Sequence, residues 1–130
     1  MILADTQAVA WLTLDRRELS QTALVTFAEA HTSGSGVGIA STTLWELAMM
    51  ATRGIIKPRG STLDYLRVIE KRFVVYPITG EIAERSMRFT DCYPKDPADR
   101  IIGATALVHN LRLVTADKPI RKSGEVPCIW

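Results

Sequence analysis

Acidic residues recur along this chain of 130 residues at points where predicted strands end or the following helices begin. The four positions are Asp5, Glu46, Asp99 and Asp117. In a parallel α/β sheet the carboxyl ends of the strands lie along one edge, so we expect these carboxylates to meet in one crevice. Clustered carboxylates repel one another and lose hydration unless a cation holds them. Because Mg²⁺ and Mn²⁺ prefer hard oxygen ligands, the leading hypothesis is metal-assisted hydrolysis of a phosphodiester by one or two such ions.

Most of these acids also have a structural explanation, because Asp and Glu are favoured at helix N-termini. Asp5 is placed to cap the first helix, and Asp117 is placed to cap a turn. Glu46 would close a capping box with Thr43. Ser, Thr or Asn can cap a helix without accumulating charge. The use of carboxylates at successive strand ends therefore favours a metal site over capping alone.

Two further features concern the segment around Asp99. Asp96 stands directly before Pro97, which is the pattern of a helix cap followed by proline in the first turn. Asp99 follows three residues later, at another capping position. We therefore count Asp99 among the central acids and Asp96 as an auxiliary member, which could serve only as a cap.

The elements that must position these acids alternate in type. Short apolar runs predict strands at residues 2–5, 37–40, 73–78 and 111–115, with a possible fifth at 126–129. Apolar residues at helical spacing predict helices at 6–12, 20–32, 43–53, 61–72, 79–89 and 97–109. This alternation is typical of an α/β domain, here spanning residues 1–130. We expect three layers, with a central, mostly parallel sheet of four or five strands and helices on both faces.

Composition limits the class of protein. At 47% apolar and 23% charged residues, the chain is typical of a globular domain, and its net charge of +2 does not by itself indicate nucleic-acid binding. Cys92 and Cys128 form no Cys-x-x-Cys motif, which argues against a zinc ribbon or disulfide scaffold and favours the reducing cytoplasm. No signal-peptide pattern and no apolar run of membrane-spanning length is present, so we expect no membrane partner.

Four segments around the acids resemble the PIN domain and, more narrowly, the VapC toxins of bacterial type II toxin–antitoxin systems. They are Ile-Leu-Ala-Asp-Thr at 2–6, Ser-Thr-Thr-Leu-Trp-Glu-Leu-Ala at 41–48, Lys-Asp-Pro-Ala-Asp-Arg-Ile-Ile-Gly-Ala-Thr-Ala at 95–106 and Leu-Val-Thr-Ala-Asp at 113–117. The resemblance covers essentially the whole chain in order. Its most specific parts are Trp-Glu-Leu-Ala and Asp-Pro-Ala-Asp-Arg.

The resemblance implies a PIN-like fold and a metal-dependent endoribonuclease that hydrolyses RNA. The acids that it assigns to Mg²⁺ or Mn²⁺ are Asp5, Glu46, Asp99 and Asp117, with Asp96 as an auxiliary member. It also implies that the hydroxyl groups of Thr6 and Thr115 lie near the metal centre. Attack of a metal-activated water in line with the scissile bond would leave 5′-phosphate and 3′-hydroxyl ends.

Basic residues flank the acids in sequence and could guide RNA phosphates toward them. They are Lys95, Arg100, Lys118, Arg121 and Lys122. For any single one of them, a solvated surface charge is the simpler explanation. The resemblance further implies a homodimer and a VapB-type antitoxin that silences the enzyme. The apolar surface of the early helices, including Trp11, is the candidate surface for either partner.

Several other residues are predicted to serve packing. We assign Trp11 and Trp45 to the core or to a dimer interface. Gly103 and Ala106 lie one and two turns beyond Asp99 on the same helix face, where small residues would permit the close approach of a neighbouring strand.

Two alternatives to a nuclease are weighed. A PIN fold without catalysis could serve as an RNA- or protein-binding module, but the presence of all four acids argues against it. A phosphate-receiving signalling domain requires an adjacent acidic pair after its first strand and an acceptor Asp after its third. Asp5 stands alone, and the third predicted strand ends in Tyr-Pro-Ile without an Asp.

Overall fold

Five short strands and seven helices follow one another in a computed structural model that describes all 130 residues. The strands are β1 Ile2–Ala4, β2 Val37–Ala40, β3 Val74–Tyr76, β4 Leu113–Val114 and β5 Cys128–Ile129. The helices are α1 Thr6–Leu14, α2 Gln21–Thr32, α3 Ser41–Thr52, α4 Thr62–Arg72, α5 Gly80–Ser86, α6 Pro97–Val108 and α7 Lys118–Ser123. None of the helices combines the length and apolar character needed to cross a membrane.

The strands form one sheet in the order β3-β2-β1-β4-β5, and every neighbouring pair is parallel. The chain starts at the central strand, winds outward through β2 and β3, and then returns to the other side of β1 through β4 and β5. The direction of winding therefore reverses beside β1. In open α/β sheets, ligands bind beyond the carboxyl ends of the strands at such a reversal.

Two apolar clusters cover the two faces of the sheet. One contains buried residues of α1, α2, α3 and α4, and the other contains buried residues of α5, α6 and α7. The central strand contributes to both because successive side chains of a strand point to opposite faces: Ile2 and Ala4 belong to the first cluster and Leu3 to the second. The predicted three-layer α/β fold is confirmed, with a sheet that is wholly parallel and has five strands.

The start of α3 differs from the prediction. The helix begins at Ser41, directly after β2, and its N-cap is Ala40, which makes no side-chain hydrogen bond. The predicted capping box of Thr43 and Glu46 is therefore wrong. Thr43 already lies inside the first turn, so its hydroxyl is free to take part in contacts elsewhere.

The end of α5 also differs. The helix was predicted to continue to about Phe89 but ends at Ser86, with Met87 at its C-cap. Phe89 and Tyr93 lie beyond the helix, where both are buried and their rings stack with centroids 3.9 Å apart. Packing of these two rings under α6 competes with continuation of the helix, which periodicity alone does not reveal.

Candidate active site

The structure brings the four central acids together in one cleft of about 490 Å³. The other residues that line it are Thr6, Gln7, Trp11, Met50, Ile102 and Ala116. Asp5 follows β1 and Asp117 follows β4, so the cleft opens at the carboxyl edge of the sheet beside the reversal of winding. Asp96 is exposed and does not line the cleft.

Asp5 is the most enclosed of the acids. Its backbone amide donates to the carbonyl of Val114 at 3.1 Å, and its side-chain Oδ1 caps α1 by accepting from the amide of Ala8 at 2.7 Å. Burial raises the pKa of Asp5 to about 6, although hydrogen bonds from Thr115 and Ala8 oppose the rise. The charge of neighbouring Asp117 adds to it. A nearby cation would stabilise the ionised form of this buried carboxylate.

Glu46 is held by a pair of buried hydroxyl groups. The Thr6 hydroxyl donates to Glu46 Oε1 at 2.5 Å and lies 3.1 Å from the hydroxyl of Thr43. Burial raises the pKa of Glu46, the Thr6 hydrogen bond lowers it, and the charge of Asp96 raises it. Thr43 was predicted to cap the helix and instead contacts the hydroxyl of Thr6. Its spacing of three residues from Glu46 puts both on one helix face and could have indicated the shared environment.

Asp99 lies in the first turn of α6, and Asp96 is the N-cap of that helix. Asp96 Oδ1 accepts from the amide of Asp99 at 3.1 Å, as predicted for a residue before Pro97. Burial raises the pKa of Asp99 to about 7, and the charges of Asp96 and Asp117 contribute to the rise. The cap therefore also places a second negative charge beside the cleft.

Asp117 repeats the arrangement of Asp5 at the end of β4. Its Oδ1 accepts from the amide of Ile120 at 2.9 Å and so caps α7, while its own amide donates to the Thr115 hydroxyl at 3.1 Å. Capping and facing the cleft are therefore not alternatives for Asp5 and Asp117. The cap fixes the orientation of each carboxylate through one oxygen.

No basic side chain neutralises these acids. The two ion pairs of the structure join Arg17 to Asp15 and Arg88 to Glu84, away from the cleft. Carboxylate and hydroxyl oxygens are the ligand type that Mg²⁺ and Mn²⁺ prefer, so the residues present fit such an ion by chemistry and charge. As the side chains lie, no three acidic groups form a closed metal site.

Tyr93 contacts the backbone of Asp99, a contact that we did not predict from the sequence. Its hydroxyl donates to the backbone carbonyl of Asp99 at 2.8 Å, and burial raises the pKa of this phenol far above its ordinary value. A Cβ at Gly103 would collide with the Tyr93 hydroxyl and with Phe89. Gly103 thus permits the approach of aromatic side chains, where we predicted a strand. A glycine inside a helix indicated a close neighbour without identifying it.

The five flanking basic residues differ in their surroundings. Lys95, Lys118 and Lys122 are exposed. Arg100 is partly buried and ties down the loop before α6, since its Nε donates to the carbonyl of Pro94 at 2.9 Å and its Nη2 approaches the carbonyl of Tyr93 at 3.4 Å. Arg121 donates to the carbonyl of Ala116 at 3.2 Å. The predicted contact of these side chains with RNA stays a prediction.

Trp11 and Trp45, which were both predicted to serve packing, differ in their burial. Trp11 is partly buried and lines the cleft, and its ring lies 5.8 Å from that of Trp130 at an interplanar angle of 44°. Trp45 is 65% exposed, so its assignment to the core is wrong, and the interface alternative stays a prediction.

The sheet is wholly parallel, and carboxylates converge at the end of its central strand. These features define an α/β protein with an acidic cleft, the class that the sequence resembles. A family model of the PIN domain matches residues 2–125. The chain belongs to the PIN domain family.

Individual relatives agree with this assignment. Ribonuclease VapC22 of Mycobacterium tuberculosis is 29% identical over 92% of this chain and 89% of its own length. The crystal structure of VapBC2 from Rickettsia felis, bound to a DNA fragment from its promoter, matches with a TM-score of 0.75 at 14% identity. That match covers 98% of this chain and 97% of the other. A toxin–antitoxin complex from Klebsiella pneumoniae matches with a TM-score of 0.62 at 23% identity over 90% of this chain and 87% of its own.

Proposed function

We propose that this protein is a Mg²⁺- or Mn²⁺-dependent endoribonuclease and the toxin of a type II toxin–antitoxin system. The observation that carries the proposal is the convergence of four carboxylates in one cleft without a basic side chain to offset them. The similarity to a protein named ribonuclease VapC22 supports RNA as the substrate.

The residues that would hold one or two ions are Asp5, Glu46, Asp99 and Asp117, with Asp96 in an auxiliary role. A bound divalent ion supplies a Lewis acid and lowers the pKa of a water molecule. The helix caps aim the carboxylates of Asp5 and Asp117, and the Thr6 hydroxyl restrains Glu46. Hydrolysis adds the water oxygen to phosphorus and breaks the bond to the 3′-oxygen, which leaves with a proton. The products then carry 5′-phosphate and 3′-hydroxyl ends.

The proposed partners are a VapB-type antitoxin and a second copy of the chain, in the cytoplasm. The structural neighbours from Rickettsia felis and Klebsiella pneumoniae are toxin–antitoxin complexes, which supports an antitoxin. Large apolar side chains on the surface support protein partners more generally, among them Trp45 at 65% and Met87 at 81% exposure.

Cleavage of RNA by the purified protein tests this proposal. We expect cleavage in Mg²⁺ or Mn²⁺, none in a chelator, and its loss in both Asp5→Asn and Asp99→Asn. Asp64→Asn is the matched control, because Asp64 is an exposed acid on α4 and outside the cleft. Sequencing the ends of the fragments checks the chemistry. Fragments that end in a 2′,3′-cyclic phosphate would rule out attack by water.

A catalytically inactive module that binds RNA or protein is the second candidate, and the large exposed apolar side chains, among them Trp45 and Met87, favour it. Induced expression in a bacterial host separates the two. A nuclease toxin arrests growth only as the wild type. Arrest by Asp5→Asn as well would indicate that binding alone is toxic.

A further inference from the structure

The acidic cleft also has apolar residues in its lining. Trp11, Met50 and Ile102 line it together with the four carboxylates, and Trp11 provides its one aromatic ring. Metal ligation does not use an indole. A partly exposed tryptophan in the same cleft as a cluster of charges therefore calls for an explanation in terms of what else the cleft binds.

The Trp11 ring is held in place on one side. It packs against the larger apolar cluster, and the ring of Trp130 lies 5.8 Å away, tilted by 44°. Trp11 is six residues beyond Asp5, which places it about 9 Å further along the axis of α1. Because the ring is already ordered, a flat ligand that stacks on it pays little conformational entropy.

RNA combines the two chemistries that this cleft offers. Its phosphates suit a cation held by carboxylates, and its bases suit an aromatic ring. Bases within a duplex are stacked on one another, whereas unpaired bases are free to stack on aromatic side chains. A protein partner would account for apolar side chains outside the cleft, but it has no need of the carboxylates beside Trp11. A ligand that is both anionic and aromatic would use Trp11 and the carboxylates of the same cleft together.

We propose that Trp11 is the stacking platform for an unpaired base next to the scissile phosphate. The inference rests on the proposed ribonuclease function. Trp11 contacts the substrate and sets its specificity, while the carboxylates act on the phosphate. Such stacking tolerates any base, so it selects unpaired structure more strongly than sequence.

Paired substitutions at this position separate stacking from packing. Trp11→Phe keeps an aromatic ring, and Trp11→Leu keeps an apolar side chain of considerable size without one. With short single-stranded RNA oligonucleotides of mixed sequence in Mg²⁺, we expect Trp11→Leu to lower kcat/KM roughly 5- to 150-fold, mainly through KM. Trp11→Phe should retain most of the activity. Leu63→Ala is the control, because Leu63 is exposed on α4 and outside the cleft.

Abasic substitutions in the RNA identify the base. One abasic position beside the cut should reproduce the loss seen with Trp11→Leu, and combining the two changes should cause no further loss. The same oligonucleotides annealed to a complement should be cut poorly by the wild type. Equal cleavage of duplex and single strand, additive losses, or Trp11→Leu kinetics equal to the wild type would each overturn the proposal. A changed oligomeric state with unchanged kinetics would instead assign Trp11 to a protein interface.

Failure of the nuclease itself gives a different result. If the wild type cuts no RNA, the proposed function fails, and anisotropy of a fluorescently labelled single strand then tests Trp11 separately. Weaker binding by Trp11→Leu than by the wild type would retain the platform in a binding module. Equal binding would overturn it. Similar Tm values for Trp11→Leu and Trp11→Phe would exclude misfolding as the cause of weaker binding or slower cleavage.

Discussion

The hydroxyl of Tyr93 donates a hydrogen bond of 2.8 Å to the backbone carbonyl of Asp99. This bond joins a buried aromatic side chain to the helix turn that carries one of the four central acids. Tyr93 does not line the cleft, so this bond is its route to the acids, and we infer that it positions Asp99. Its ring is fixed in turn by stacking on Phe89.

Tyr93→Phe removes only the hydroxyl that reaches Asp99. Loss of one such hydrogen bond is expected to lower the free energy of unfolding by about 1 kcal/mol. If the bond positions Asp99, the Mg²⁺ concentration for half-maximal cleavage should rise roughly fivefold, the equivalent of that energy. The control is Tyr65→Phe, which removes the bond of 2.7 Å between the Tyr65 and Thr13 hydroxyls in another part of the chain. Similar destabilisation with an unchanged Mg²⁺ requirement is expected there. An unchanged requirement in Tyr93→Phe would reduce Tyr93 to a structural role.

Gly103→Ala should destabilise the protein through overpacking. The added methyl group would meet the Tyr93 ring and hydroxyl and Phe89, all of them buried, so we expect a loss of about 1–3 kcal/mol in chemical denaturation. Gly80→Ala is the matched control, because nothing lies within 4 Å of its Cβ position in α5. That substitution should be neutral or mildly stabilising. Equal effects at both positions would contradict the packing that the structure shows around Gly103.

The positions of three acids could be predicted from local signals, because Asp5 and Asp117 follow strands and Asp99 lies in the first turn of α6. Glu46 lies in the second turn of α3, so its predicted place at a helix start was wrong. The sequence also predicted the helix caps at Asp5 and Asp96, since a cap depends on the next three residues. Asp117 was predicted to cap a turn and caps the helix α7, which was not predicted.

The contacts that hold these acids in place could not be predicted from the sequence. Thr6 meets Glu46 across 40 positions, and the residue that fills the space beside Gly103 depends on how a loop folds back. Neither contact leaves a periodic pattern.

Thr6→Val tests how Glu46 is held. Valine keeps the shape of threonine but removes the hydroxyl that bonds Glu46 and contacts Thr43, leaving the carboxylate without its restraint. We expect kcat to fall roughly tenfold, the equivalent of one hydrogen bond to a charged group at about 1.5 kcal/mol. Thr6→Ser restores the hydroxyl and should recover most of the activity. Measuring kcat for the three proteins decides the point, because activity of Thr6→Val at the level of Thr6→Ser would dissociate the hydroxyl from catalysis.

Stability without metal should fall as pH rises, because the acids of the cleft have raised pKa values. Asp5 moves from 3.8 to about 6 and Asp99 from 3.8 to about 7, chiefly through burial. The folded protein therefore binds more protons than the unfolded chain between these values. The stabilising contribution is complete below about pH 4 and is lost as pH rises through about 6 and 7.

Added Mg²⁺ should reverse this loss. At pH 8 the carboxylates are ionised and a cation offsets their repulsion, so Mg²⁺ should raise Tm markedly, while at pH 5 protons already occupy Asp5 and Asp99 and the increase should be small. Thermal unfolding in chelator and in Mg²⁺ at both pH values measures the difference. Asp99→Asn removes one of the two titrations and should weaken both the pH dependence and the response to Mg²⁺, whereas Asp64→Asn should leave them unchanged. A Mg²⁺ effect of equal size at pH 5 and pH 8 would show that the ion binds elsewhere than at these acids.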